Sequence, residues 1–150
     1  MPIQNKDELI LLQEIGKYLF HGSPTEGIKI FEPRQSHTIP PGEDESVPDG
    51  EPAVAASPYA EIAIFRALVR KRSGFSAKGE GQLSFRATRE ALDDAKDKKG
   101  FVYVFSREGF EPKNGSEWNM DWRSLQSVKP LVSFEVTYDD LPESIEILSE

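Results

Sequence analysis

Apolar and polar positions along this chain follow two different periods, and the switch between them sorts it into elements. Near the start, Leu9, Leu12 and Ile15 recur at helical spacing, which predicts a short amphipathic helix over 7–15. Asp7 stands where its cap belongs and Gly16 where it stops. Residues 17–21 read as a strand: the apolar run Tyr18-Leu19-Phe20 leads into His21, followed by Gly22 and Ser23. Over 27–31, Ile28 and Ile30 alternate with polar neighbours in period two, and Pro33 ends the run. Core character resumes at Ala53-Val54-Ala55-Ala56. Ser57-Pro58 then opens a second helix, with Ser57 as cap and the proline in the first turn. That helix is expected to run to Arg72, burying Ile62, Phe65 and Val69.

Two stretches carry neither period. In 36–52, Pro40, Pro41, Pro48 and Pro52 are interleaved with Glu43, Asp44, Glu45, Asp49 and Glu51. Such a segment buries too little apolar surface to order itself and reads as a mobile, acidic, proline-rich loop. Residues 74–81, rich in glycine and polar side chains, read as a second flexible stretch. Thr88 is placed to cap a short helix ending at Lys96. From Gly100 onward the pattern turns β-rich, at 101–105, 118–122 and 131–137, with a last strand expected through Ile145 and Ile147. Helices early and strands late predict an α+β fold, in one domain over 1–150.

The charge balance narrows the partners. With 26 acidic against 18 basic side chains, the net charge is −8, which opposes non-specific binding to nucleic acid or to anionic membranes. The chain has no cysteine, so disulfides and thiolate metal sites are excluded and a reducing compartment is the natural home. The first eight residues lack the basic flank and apolar core of a signal peptide, and no apolar run is long enough to span a bilayer. A cytoplasmic location is therefore expected. The two histidines, His21 and His37, fall in no metal-ligand spacing, so no metal is expected. Phosphate-loop, dinucleotide-fingerprint, nucleophile-elbow and zinc-protease motifs are missing.

Candidate chemistry then gathers at three places. His21 stands at a strand end, where it is held at a fixed site, and Gly22 lets a ligand approach the backbone. Arg34, just after Pro33, has a fork suited to a pyrophosphate, with a surface ion pair as the alternative. Glu117 lies in Ser116-Glu117-Trp118-Asn119-Met120-Asp121-Trp122, where a solvated turn residue is the plain reading. Phe65 shares a helical face with Ile62 and Val69, which favours core packing.

Taken together, Leu19-Phe20-His21-Gly22-Ser23, the stretch from Val54 to Phe65, and Glu117-Trp118 followed by Val128-Lys129-Pro130-Leu131 resemble the ADP-ribosyltransferase superfamily. The resemblance is to its diphtheria-toxin-like and poly-ADP-ribose-polymerase-like branch. It implies two small packed sheets forming an NAD cleft, with a few peripheral helices. It implies NAD as substrate, an acceptor that is protein or nucleic acid, and release of nicotinamide. His21 would contact the adenosine-side ribose, the Gly22 backbone the carboxamide, and Ser23 would complete that wall. Phe65 would stack on the nicotinamide and Glu117 would be the catalytic carboxylate. Where the family usually has a tyrosine this chain has Val54, and where it has a serine this chain has Ile62. Those departures keep a second expectation open, a catalytically inactive nucleotide- or protein-binding domain on the same fold. A third is an unrelated α+β interaction protein.

Overall fold

The computed structural model describes residues 5–34, 37–38, 47–48, 52–69, 73–77, 82–112 and 121–148. Three helices are present among them: α1 (Asn5–Ile15), α2 (Ala60–Leu68) and α3 (Arg89–Ala95). The strands are β1 (Tyr18–Ser23), β2 (His37–Thr38), β3 (Val47–Pro48), β4 (Val54–Ala56), β5 (Ser73–Ala77) and β6 (Leu83–Thr88). After them come β7 (Lys99–Ser106), β8 (Glu111–Pro112), β9 (Trp122–Ser124), β10 (Val132–Thr137) and β11 (Glu146–Leu148). They assemble into sheets ordered β1-β7-β10, β11-β6-β5 and β4-β9-β8, with β2 and β3 paired on their own. The α+β class expected from the sequence is what forms. The sheets are more numerous and shorter than the expected two.

The organising element is α2. Seven of its nine residues are buried, and a helix that is apolar nearly all round belongs inside. One side rests on β1 and β7, where two glycines clear its path. A Cβ on Gly22 would stand 1.9 Å from the Ala63 carbonyl oxygen, and one on Gly100 would stand 2.6 Å from Ala67 Cβ. The other side presents Phe65 to Phe85 and Phe75, at ring-centroid distances of 5.0 and 6.4 Å. So α2 forms a layer between two sheets, and the expectation of peripheral helices is corrected for it.

The ends of α2 also differ from the expected ones. Ser57 does not cap the helix, because its backbone is bound to β1: Phe20 N donates to Ser57 O (2.7 Å) and Ser57 N to Phe20 O (2.8 Å). The amide of Ala60 donates instead to Oε1 of Gln13, at the far end of α1, at 2.7 Å. The helix stops at Leu68, since Val69 is already extended (φ −108°, ψ 112°), and 70–72 lie outside the described residues. At α3, by contrast, Thr88 caps as read, its Oγ1 accepting from Ala91 N at 3.2 Å.

Elsewhere, α1 ends at Gly16, whose φ of 80° suits glycine. Leu9 is fully buried, but Ile15 is 56% exposed, so the apolar stripe of α1 is narrower than its spacing implies. The expected strand over 27–31 does not form, because this segment makes only single bridges, at Phe31 and Arg34. Conversely, 73–77, within and beside the stretch read as flexible, is strand β5, paired antiparallel with β6. β6 pairs on its other edge, in parallel, with the C-terminal strand β11. Within 36–52, residues 37–38 pair antiparallel with 47–48. Apart from these and residue 52, that stretch lies outside the described residues.

Candidate functional site

Alternation along β1 decides what each residue of the His21 motif faces. Phe20 and Gly22 turn toward α2. Leu19 and His21, set opposite Phe105 and Tyr103 of β7, turn to the other face. That face carries a second, separate core of Leu19, Val54, Ala56, Tyr103, Phe105, Phe110 and Trp122. His21 is half-buried at its rim. Its Nδ1 lies 2.7 Å from the carbonyl oxygen of Ala55 in β4. A carbonyl only accepts, so Nδ1 carries the hydrogen and, in the neutral ring, the lone pair is on Nε2. The Phe31 ring meets the imidazole edge to face, with centroids 4.9 Å apart at 66°.

Phe31 belongs to a short strap, residues 28–34, laid over this core. Its backbone exchanges two hydrogen bonds with Val128 (2.8 and 2.9 Å), and Arg34 exchanges two with Ala53 (3.1 and 2.9 Å). The Tyr103 hydroxyl secures the chain just before it, donating to the Thr25 carbonyl and accepting from Ile28 N at 3.1 Å. Arg34 is thereby paired with the residue just before β4, two positions ahead of the carbonyl that holds His21. Its side chain is exposed and makes no ion pair among the described residues.

Hydrogen-bond phase along β1 defines the remaining wall. Arg107 N donates to Lys17 O at 3.1 Å, so Lys17, Leu19, His21 and Ser23 direct their backbone groups to β7. Phe20 and Gly22 direct theirs to the opposite edge. Phe20 uses both groups on Ser57. Gly22, two residues on, has no backbone partner for its N–H or C=O among the described residues. One donor and one acceptor therefore lie side by side on the β1 edge beyond Phe20, next to the residue that bonds Ala55. Ser23 is buried, and its Oγ accepts from Thr25 N at 3.1 Å, closing the turn that follows β1.

His21, Gly22 and Ser23 are consecutive in β1, and Arg34 is backbone-paired with Ala53, two positions ahead of the Ala55 that holds His21. The structure does not gather Phe65 with them. That ring is 1% exposed in the core around α2, on the opposite face of the sheet from the imidazole. Its expected place on a ligand is corrected to core packing. Val54 and Ile62 are likewise buried, in the second core and in the α2 core respectively. Glu117 and Trp118 lie outside the described residues. The sequence reading missed Phe31 and Ala55 as parts of the site. Phe31 carried a weak signal, an aromatic closing a run just before Pro33. Ala55 carried none, because it contributes a carbonyl and not a side chain.

Among the described residues no cluster of three or more histidine, aspartate or glutamate side chains is placed to hold a metal ion. None of their helices is long and apolar enough to cross a membrane. Compared with protein-family models, with characterised proteins and with solved structures, the chain finds no match.

Proposed function

We propose that this protein binds NAD along the edge of β1 at Gly22 and transfers ADP-ribose to a protein or nucleic-acid acceptor, releasing nicotinamide. The observation that supports the reading best is the conjunction of His21, its Nδ1 held by the Ala55 carbonyl, with the peptide groups of Gly22 beside it, which have no backbone partner among the described residues. A carboxamide offers one acceptor and two donors, so it complements an adjacent N–H and C=O. His21 orients the adenosine-side ribose, and Arg34 offers a fork for the pyrophosphate. NAD supplies the reacting bond: C1 of the ribose parts from the nicotinamide nitrogen, which keeps the electron pair, while the acceptor bonds to C1 and loses a proton. Glu117 is the carboxylate of this reading, and an anion placed where positive charge develops lowers the barrier most.

Two measurements test it. NAD at a hundred times its Kd should stabilise the fold by about 2.7 kcal/mol, and no thermal shift at millimolar NAD refutes the site. Nicotinamide release should be lost in Glu117→Gln, and equal rates in variant and wild type remove Glu117 from the mechanism. The buried apolar side chains of Val54 and Ile62, 3% and 2% exposed, favour a second reading, a nucleotide-binding domain without catalysis. That reading predicts the thermal shift without any nicotinamide release.

A further inference from the structure

We infer that Lys17, Arg107 and Trp122 form a binding site for a phosphate group, at the end of β1 away from Gly22. The site stands apart from the NAD reading and does not rest on it. Its first element is a pair of donors. The Arg107 guanidinium lies over the Trp122 ring, 4.8 Å from its centroid, and Trp122 is only 9% exposed. In this contact Arg107 Nε and Trp122 Nε1 are both closed off from solvent, and neither has a hydrogen-bond partner among the described residues. A buried N–H without an acceptor is costly, and such groups are rare in folded proteins. Guanidinium and indole only donate, so the group that satisfies them is an acceptor.

The second element is charge. Arg107 N donates to Lys17 O at 3.1 Å, and the register that sets Tyr18 opposite Ser106 sets Lys17 opposite Arg107. Alternation places both cations on the side of the sheet that carries Leu19 and Phe105. Like charges opposed across a strand pair destabilise it, and neither forms an ion pair among the described residues. An anion between them turns that repulsion into attraction. A phosphate fits best, because its three terminal oxygens match three donor side chains and its charge approaches about −2. A carboxylate offers fewer oxygens and half the charge. With a net charge of −8 the protein as a whole does not draw anions in, so these local donors do the selecting. An oxygen reaches Trp122 Nε1 when the half-buried Arg107 side chain slides along the ring.

The experiment follows the indole N–H signals of the full chain by NMR. Inorganic phosphate, glycerol phosphate, acetate or chloride is added at matched ionic strength. The signal missing from Trp122→Phe belongs to Trp122. It should move downfield and saturate with phosphate, as its hydrogen finds an acceptor, and stay in place with acetate and chloride. An equal response to glycerol phosphate assigns the site to a phosphorylated small molecule, and a response to inorganic phosphate alone assigns it to the free ion; each supports the site. Arg107→Lys keeps the charge without the Nε donor and should weaken phosphate binding about tenfold or more, the factor of one charge-assisted hydrogen bond. Lys17→Met should weaken it about threefold, as suits an exposed charge. If Arg107→Lys does not fold, the wild-type titration and Lys17→Met carry the comparison. A Trp122 signal that phosphate leaves in place overturns the inference, and so does an equal response to acetate.

Discussion

Replacing Gly22 with alanine is the sharpest test of how the site is built. The added Cβ would lie 1.9 Å from the Ala63 carbonyl oxygen, 2.8 Å from Ala67 N and 2.9 Å from Ala63 C. All three are backbone atoms of α2, so no rotamer change relieves the collision. Either the helix retreats from the sheet or β1 bends away from it. Overpacking a well-filled core costs about 1–3 kcal/mol, and a clash with immobile backbone places this substitution at the upper end, about 3 kcal/mol. For a domain of this size that is a fall in Tm of about 6–12 °C. Urea denaturation of Gly22→Ala beside Gly27→Ala is the assay, because Gly27 has a positive φ but nothing within 4 Å of its would-be Cβ. Gly27→Ala should cost only its backbone strain, about 1–2 kcal/mol. A Gly22→Ala variant as stable as wild type would refute the seating of α2 on β1. The result also governs how activity data are read, since loss of function in Gly22→Ala would by itself say nothing about a ligand.

Phe65→Leu should lower stability by about 1–2 kcal/mol and leave NAD affinity unchanged in the folded fraction. A selective loss of NAD binding at wild-type stability would contradict its place in the α2 core. Gln13→Ala and Thr88→Ala should each cost about 1 kcal/mol by removing a cap, as read by urea titration, and Gln13→Glu should retain most of the wild-type stability because it keeps an acceptor for Ala60 N. The Lys96 pKa is raised from 10.5, first by the hydrogen bond to Asp93 and then by that charge. Its contribution is therefore complete below 10.5 and is lost as pH climbs through the higher folded value. The difference in urea midpoint between wild type and Lys96→Met should be small, as befits an exposed pair, and should vanish at strongly alkaline pH; a difference that grew with pH would reverse this assignment.

Where burial and local pattern agree, the fold is legible in the residues. Phe101-Val102-Tyr103-Val104-Phe105 announces the central strand. The 62–65–69 spacing announces α2, and Thr88 announces the start of α3. Legibility fails where a distant partner decides. Ser57 has the chemistry of a cap, yet β1 takes its backbone and a side chain from α1 serves the helix in its place. Ser73-Gly74-Phe75-Ser76-Ala77 looks like a loop in isolation and becomes a strand because β6 pairs with it. Over 27–31 the alternation is present, but the one bridge formed there, from Phe31 to the distant Val128, does not make a strand. In the site, the apolar strand that carries His21 is readable, but it continues two residues past the expected end, to Ser23, and the close approach expected of a ligand at Gly22 is made by protein backbone. The approaching backbone at Gly22 is that of α2, which local sequence does not disclose. Phe65 shows the limit most clearly, since helical spacing says which residues share a face and not which sheet that face meets.

The strap over His21 joins parts of the chain that synthesis keeps far apart. The bond from Tyr103 to Thr25 spans 78 residues, and that from His21 to Ala55 spans 34. Non-local pairing of this kind forms late, because the entropy of closing the loops must be met before the contacts reward it. Until β7 docks beside β1, the Tyr103 hydroxyl cannot hold Thr25 and Ile28, and the Phe31 ring lacks Tyr103 and Phe105 to pack on. The histidine environment is thus a clock for refolding: its tautomer should lock in the same kinetic phase that completes the sheet. A nascent chain that has not yet delivered β7 would carry the His21 motif in full and still have no site.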